Sequence, residues 1–354
     1  MKKSRFIRLV AALLCFAALF ALCACGVQGK AEDARVFVDS TGREIALPEE
    51  ISRIAVTGIG SQLVVFALAP EMFVALTSPW DAGAEEYIDE KYLNLPVLGQ
   101  LYGGKGEWNA ESLMVADPQL VIDVGESKDG IAEDMDALSE QTGIPFVHIS
   151  ATTATMGDTY RKLGELLGKP EEAAVLADFC DKHYADANAF VETVDKLSVL
   201  YCLGDAGTNV IAKDSYHSEV IDLIGDNSAV LENPSSKGLG NETDMEQLLL
   251  WNPEVIVFAP GSVYDSVGSD PLWQQMDAIR NGNYYQVPDA PVNWFGFPPS
   301  VQRYLGMIWL SALLYPDAID FDPMEEIQSY FRLFYHTELT EEQFHNITHG
   351  LFAA

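Results

Sequence analysis

Residues 109–122 read NAESLMVADPQLVI, and residues 244–257 read DMEQLLLWNPEVIV. In each stretch a glutamate stands seven residues before a proline, and an apolar run follows the proline. Because the residue before a proline disfavours the helical conformation, each stretch predicts a short amphipathic helix that stops there and leads into a buried parallel strand. The same unit in both halves of the chain indicates two lobes built on one plan.

The rest of the chain alternates short apolar runs with helical patterns, which predicts an α/β fold with parallel-rich sheets. Residues 170–197 carry apolar side chains at helical spacing, with Gly168 and Pro170 as start signals. A helix of about 27 residues would span about 40 Å, enough to join two lobes. The predicted division is a lobe over 25–168, a linking helix over 169–196 and a second lobe over 197–354.

The charge balance limits the possible partners. The 354 residues include 53 acids and 21 bases, for a formal net charge of −32. Phosphate contacts need Lys and Arg, so this excess of acid argues against nucleic acid as a partner. It also disfavours adsorption to anionic membrane surfaces. Local donors can override the global field, so the charge alone does not fix the sign of a ligand.

The first 25 residues have the pattern of an export signal. Residues 1–8 carry four bases and no acid, and residues 9–22 are almost wholly apolar. This core is shorter than the roughly 20 residues that a membrane-spanning helix needs, so residues 1–24 are predicted to be a signal peptide. The ending LCAC resembles a bacterial lipobox, which would make Cys25 a lipid anchor; an uncleaved anchor helix is the alternative. Export permits a disulfide between Cys180 and Cys202, which spacing alone leaves open.

The ordered set of motifs is similar to the substrate-binding lipoproteins of ABC importers for iron–siderophores, haem and cobalamin, the periplasmic-binding class with a single-helix hinge. The lipobox, residues 39–56 (DSTGREIALPEEISRIAV), both repeat units and residues 298–316 (PPSVQRYLGMIWLSALLYP) carry the resemblance. It implies two Rossmann-like lobes joined by one long helix, with the ligand in the cleft between them. It also implies that Glu111 and Glu246, one on each lobe, dock onto a permease dimer. The alternative for both is a solvated acid at a helix start.

Candidate ligand contacts lie in loops that follow predicted strands, because ligands of open α/β sheets sit beyond the carboxyl ends of the strands. Aromatic side chains there would suit flat, amphipathic ligands, although core packing is the alternative for each of them. A helix starting at Tyr216 and His217 could receive an anionic group. The candidates are Gly60, Ser61, Trp80, Asp81, Gln100, Tyr102, Gly103, Tyr216, His217, Asn293 and Trp294.

The resemblance implies a metal chelate as cargo, with an iron–siderophore as the first choice. Haem, a corrinoid such as cobalamin, and an oxyanion such as molybdate or tungstate stay open. No arginine lies in the predicted cleft loops, which weakens an anionic siderophore, and Arg303 is expected in a structural salt bridge. Known catalytic motifs and clustered metal ligands are not found, so neither an enzyme nor a resident metal or covalent cofactor is expected.

The expected protein is therefore a monomer outside the cytoplasm, tethered to the membrane by its lipid, that passes its cargo to an ABC permease. A surface receptor lipoprotein that binds no small molecule is the alternative from another functional class.

Overall fold

The computed structural model describes residues 35–101 and 108–352. The predicted signal peptide over 1–24, Cys25, Tyr102 and Gly103 lie outside these residues. The strands are β1 (Arg35–Val38), β2 (Glu44–Leu47), β3 (Ile54–Val56), β4 (Leu120–Gly125), β5 (Phe146–Ser150), β6 (Ser198–Leu203), β7 (Asn209–Val210), β8 (Asp226–Asn227), β9 (Asn241–Glu242), β10 (Val255–Phe258) and β11 (Tyr284–Gln286).

The helices follow the same alternation along the chain. They are α1 (Ile59–Leu68), α2 (Glu90–Leu93), α3 (Ala110–Ala116), α4 (Ile131–Thr142), α5 (Met156–Leu167), α6 (Pro170–Val191), α7 (Glu219–Ile224), α8 (Met245–Trp251), α9 (Tyr264–Val267), α10 (Asp277–Asn281), α11 (Arg303–Leu314), α12 (Pro323–Tyr330) and α13 (Glu341–Ile347), with a π-helix over Phe331–Tyr335.

Two larger sheets confirm the α/β prediction, and β1 and β2 form a separate antiparallel pair. The N-terminal sheet is parallel, in the order β3-β4-β5, with Val56 opposite Ile122. The C-terminal sheet runs β11-β10-β6-β7-β9, with β10 parallel to both β6 and β11 and an antiparallel edge at β7 and β9. The inner strands β4 and β10 are apolar except for Asp123 of β4, as expected where helices cover both faces of a parallel sheet.

The two repeat units form as predicted. Helix α3 ends at Ala116 and α8 ends at Trp251, each one residue before a left-handed residue and two residues before a proline. The left-handed residues are Asp117 (φ 52°) and Asn252 (φ 36°), and short polar side chains tolerate that conformation best. The chain then enters β4 and β10, the central strands of the two sheets.

The helix between the sheets is shorter than predicted. It begins at Pro170, as expected, but ends at Val191 and not at residue 196. The Thr193 hydroxyl donates to the Phe190 carbonyl at 2.7 Å, which competes with the next helical hydrogen bond. At 22 residues the helix spans about 33 Å. It packs closely on α5, where a Cβ on Gly164 would lie 2.5 Å from the Ala173 Cβ.

The last residues return to the N-terminal half, a feature that the predicted lobe over 197–354 does not include. The Gln343 side chain donates to the Glu86 carbonyl at 3.2 Å, and His336 Nε2 lies 3.3 Å from the Phe66 carbonyl oxygen. Phe334 packs edge-on against Tyr160 of α5. The return follows from apolar burial, since the aromatic side chains of the π-helix find their buried contacts on α1, α5 and α6.

Cys180 and Cys202 are free thiols and both are buried. One lies on α6 and the other on β6, in different apolar clusters. Burial raises the pKa of both thiols, so they stay protonated. In the part of the chain that the structure describes, no helix combines the length and the apolar character needed to span a membrane.

Candidate functional site

A cleft lies where the carboxyl ends of the strands of the two sheets face each other. It contains two adjoining cavities of about 810 Å³ and about 510 Å³, which share Gly60, Glu126 and Tyr216 in their walls. One wall comes from the loops after β3, β4 and β5, and the other comes from residues 214–222, 236–238 and 297–303. This position is where an open α/β sheet holds its ligand.

The first turn of α1 forms part of the N-terminal wall. Its cap is Gly58, which has no side chain to accept from the first N–H groups, and Ile59, Gly60 and Ser61 of this turn line the cleft. Ser61 ties the helix to β4, because its hydroxyl accepts from Val124 N at 2.8 Å. Across the cleft, the Ser300 hydroxyl donates to the Gly60 carbonyl at 2.9 Å. Both predicted residues, Gly60 and Ser61, therefore line the cavity.

A row of polar side chains at the ends of β3, β4 and β5 supports this wall. The Thr57 hydroxyl donates to Asp123, and Asp123 lies opposite His148 in the β4–β5 register. His148 Nδ1 lies 2.7 Å from the Asp123 carboxylate, and its Nε2 lies 2.9 Å from the Ser127 hydroxyl. The composition is that of a Ser-His-Asp triad, but the imidazole is wholly buried. The row therefore fixes the ends of three strands and does not present the histidine to a solute.

The C-terminal wall carries an aromatic and cationic group. The His217 ring stacks on Phe297 at 4.7 Å, and the Arg303 guanidinium lies 5.3 Å from the Tyr216 ring centre. Burial is the main cause that lowers the pKa of His217, and the Arg303 charge acts in the same direction. His217 is therefore neutral at physiological pH. Arg303 forms the expected salt bridge, with Glu219, and also lines the cleft.

Three cations reach the cleft from separate segments, and the sequence had not singled out two of them. Lys128 follows β4, Lys237 lies in the loop before β9, and Arg303 begins α11. Five acids line the same cleft: Asp123, Glu126, Asp214, Glu219 and Asp222. Glu219 pairs with Arg303, and Asp222 accepts from the Ser218 hydroxyl. The strand-end rule could have found Lys128, whereas nothing local marks Lys237.

Several predicted contacts lie elsewhere. Trp80 packs edge-on against Phe66 with ring centres 5.0 Å apart, and Trp294 is fully buried with its Nε1 donating to the Ala290 carbonyl at 3.0 Å. Both rings belong to the core because that is where their apolar area is removed from water.

Asp81 and Asn293 also lie away from the two cavity walls. Burial and the Asp289 charge raise the pKa of Asp81. The side-chain oxygen Oδ1 of Asn293 caps its own turn by accepting from Phe295 N at 2.9 Å. Gln100 does line the cleft, where its amide donates to the Ser78 hydroxyl at 2.8 Å.

Glu111 and Glu246 occupy equivalent exposed positions at the second residue of α3 and α8. Each helix begins at a side-chain cap: Asn109 accepts from Ser112 N at 3.0 Å, and Asp244 accepts from Gln247 N at 2.9 Å. Neither glutamate forms part of the cleft wall.

Comparison with known proteins gives consistent matches. The sequence profile described as "Periplasmic binding protein" matches residues 54–291. The molybdate-binding protein MolA of Haemophilus influenzae is 22% identical over 332 residues, covering 86% of this chain and 91% of MolA. The Fe(3+)-citrate-binding protein YfmC of Bacillus subtilis is 21% identical and covers 52% of this chain and 58% of YfmC.

Solved structures share the fold. An ABC transporter solute binding protein from Sulfurospirillum deleyianum has a TM-score of 0.80 at 26% identity, covering 88% of this chain and 98% of its own. MolA bound to molybdate has a TM-score of 0.66 at 19% identity, covering 86% and 99%.

Proposed function

Because this chain belongs to the periplasmic binding protein family, whose solved relatives include ABC transporter solute-binding proteins, we propose that it captures an anionic metal species in the cleft and delivers it to an ABC permease. The first candidate is a tetrahedral oxyanion of the molybdate class. The second is an anionic iron chelate, which includes the iron–siderophore expected from the sequence.

The observation that carries the proposal is the convergence of Lys128, Lys237 and Arg303 on one cleft in a chain with 53 acids and only 21 bases. Charge-assisted hydrogen bonds are about twice as strong as neutral ones, so these donors favour an anion despite the overall negative charge.

The N-terminal wall suits an oxyanion. The first-turn N–H groups of α1 and the positive end of its dipole favour negative charge. The similarity to molybdate-binding MolA extends over most of both chains, which supports the same ligand class.

Cavity size keeps the iron chelate as the second candidate. A volume of about 810 Å³ lies in the range that organic ligands occupy, and one relative is named for binding Fe(3+)-citrate. Haem and a corrinoid have less support, because the tryptophans expected to hold a flat ligand, Trp80 and Trp294, are core residues.

Several further features belong to the same proposal. The protein acts outside the cytoplasm, held to the membrane by a lipid on Cys25, and works as a monomer. It has two lobes around the cleft, joined by α6, with residues 323–347 packed on the first lobe. Glu111 and Glu246 dock the two lobes onto the permease dimer.

A titration experiment tests the ligand class. The purified protein is titrated with molybdate, tungstate, sulfate, ferric citrate, a ferric siderophore, haem and cobalamin, with tryptophan fluorescence and calorimetry as readouts. We expect saturable binding of an anion. Replacing Lys128 and Lys237 together by Gln should weaken that binding at least about tenfold, since one hydrogen bond to a charged group is worth about 1.5–3 kcal/mol.

The matched control is Lys91→Gln, which removes an exposed lysine that lies outside the cleft walls and should leave affinity unchanged. Binding of a neutral or cationic ligand with no anion bound, or equal losses for Lys91→Gln and the double variant, would overturn the assignment.

A further inference from the structure

We propose that each half of the protein meets the permease through a paired contact, in which an exposed aliphatic side chain accompanies the docking glutamate. The pairs are Glu111 with Val115 on α3 and Glu246 with Leu250 on α8, and we call them the docking stripes. The inference rests on the proposed function, because it names the contact surface for the same permease.

The stripe geometry follows from helical spacing. In each pair the two residues are four positions apart, so their side chains lie on one face of the helix about 5–6 Å apart at Cβ. Val115 is 86% exposed and Leu250 is 78% exposed. In each helix, the residue midway between the two lies on the opposite face and is fully buried. These residues are Leu113 in α3 and Leu248 in α8. Each helix therefore anchors one leucine inside and holds the acid and the aliphatic side chain in solvent.

The repeat is the informative part. A single exposed aliphatic residue is ordinary on a protein surface. Here the same pattern occurs twice, on helices with equivalent caps at both ends and a proline at the same position after each helix. Packing does not require this match, because an exposed side chain contributes nothing to the core. A contact that both helices make with another molecule accounts for the repeated pattern.

A partner with two equivalent sockets fits this arrangement. Two copies of one surface on a single chain call for two copies of the complementary surface, as a pair of permease subunits provides. Each socket would combine an apolar pocket with a basic group for the glutamate. An anionic bilayer would repel the two acids, and self-association of two chains through an isologous contact needs only one such surface per chain.

The two residue types have different roles in the contact. Fully burying an aliphatic side chain stabilises a complex more than an exposed ion pair does. We therefore assign most of the affinity to Val115 and Leu250, while Glu111 and Glu246 set orientation and encounter rate.

The experiment uses the full chain in cells. Val115→Ser, Leu250→Ser and the double variant are expressed at limiting levels, and uptake of labelled molybdate and ferric citrate is measured. Each single variant should lower uptake about tenfold, because it removes most of the free energy gained by burying the aliphatic side chain at one socket. The double variant should lower uptake further. Val175→Ser is the matched control, since Val175 is 52% exposed on α6 and should have no effect.

A photo-crosslinking amino acid at positions 115, 250 and 175 then identifies what covers the stripes. We expect permease adducts, established by mass spectrometry, from 115 and 250 and not from 175. Adducts to lipid or to a second copy of the chain, no adducts at 115 and 250, or uptake by the double variant equal to the parent, would overturn the inference.

Solute affinity of the purified variants separates the two proposals. Unchanged affinity with lost uptake supports the docking stripes. If none of the tested anions binds the parent protein, the proposed ligand class fails, while the crosslinks still decide the docking stripes on their own.

Discussion

Helices α3 and α8 have matching caps and matching exposed residues, but the residues that support them differ. Leu113 packs beneath α3 with Leu98 and Met135, whereas Leu248 packs beneath α8 with Val210 and others of a separate cluster. The side chains that pack around the two buried leucines therefore differ. The two helices share the buried leucine, the caps and the exposed pair, while the residues around the leucine differ. The core does not require the exposed pair, and the proposed permease contact accounts for it.

The carboxyl ends of the two helices show the same contrast. Asp117 and Asn252 adopt the same left-handed conformation. Asp117 then pairs with the Arg53 guanidinium at 3.1 Å, while the Asn252 side chain donates to the Asp277 carboxylate at 2.8 Å. Different partners thus hold the same turn, so the direction of each helix is preserved while its surroundings vary.

The largest effect on the free energy of unfolding is expected from replacing the two buried leucines. Leu113→Ala and Leu248→Ala should each lower the free energy of unfolding by about 2–5 kcal/mol, through lost transfer energy and the cavity left behind. Urea unfolding of the purified protein measures both. The controls are Val115→Ala and Leu250→Ala, which change exposed positions and should shift stability by less than about 0.5 kcal/mol.

If Leu248→Ala and Leu250→Ala had equal effects on the urea midpoint, the assignment of an inner and an outer face to α8 would be wrong. A difference between Leu113→Ala and Leu248→Ala within the expected range would measure how far each cluster relaxes around its cavity.

A smaller effect is expected from the N-caps. Asn109→Ala and Asp244→Ala should each cost about 0.5–2 kcal/mol, because each removes the acceptor for one first-turn N–H group. The acidic side chain of Asp244 also interacts with the helix dipole, so its loss should cost more at low ionic strength. Asp244→Asn separates the two contributions, because it should keep the capping hydrogen bond and remove only the interaction of the negative charge with the helix dipole.

Thermal unfolding at low and high salt measures the cap variants. The excess cost of Asp244→Ala over Asn109→Ala should shrink at high salt, since screening weakens the dipole term. An excess that does not respond to salt would show that the two caps differ in geometry and not in charge.

The repeat units could be predicted from the sequence because all their signals are local. A polar cap, a proline stop and an apolar run lie within 14 residues in each case, and no distant contact is needed to interpret them. The same holds for the start of α6 at Pro170, where the proline occupies the first turn. Its end was missed because the Thr193 hydroxyl competes for a carbonyl, an effect that apolar spacing does not reveal.

The cleft could be predicted only in part, because burial depends on partners that are distant in the chain. Gly60, Ser61 and Gln100 were found through the strand-end rule. Trp80 was misplaced because the sequence does not show that Phe66 covers it.

Contacts between residues far apart in the sequence also determine the charge of the cleft and the position of the C-terminal segment. The cation pair of Lys128 and Lys237 exists only once the two halves face each other. The return of residues 323–347 depends on apolar surface of α1 and α5, which no local pattern identifies.

The smallest effect on stability is expected from the glutamates of the docking stripes. Glu111→Gln and Glu246→Gln should each cost about 0.3–1 kcal/mol at low salt, the dipole term of an acid in the first turn of a helix, and almost nothing at high salt. Their effect on transport should be large in comparison: Glu111→Arg combined with Glu246→Arg should abolish uptake while solute affinity stays at the parent value. Urea unfolding, calorimetric titration and uptake on the same variants provide the three measurements. Loss of solute affinity would place these acids in the binding site, and unchanged uptake would mean that the equivalence of α3 and α8 has no part in docking.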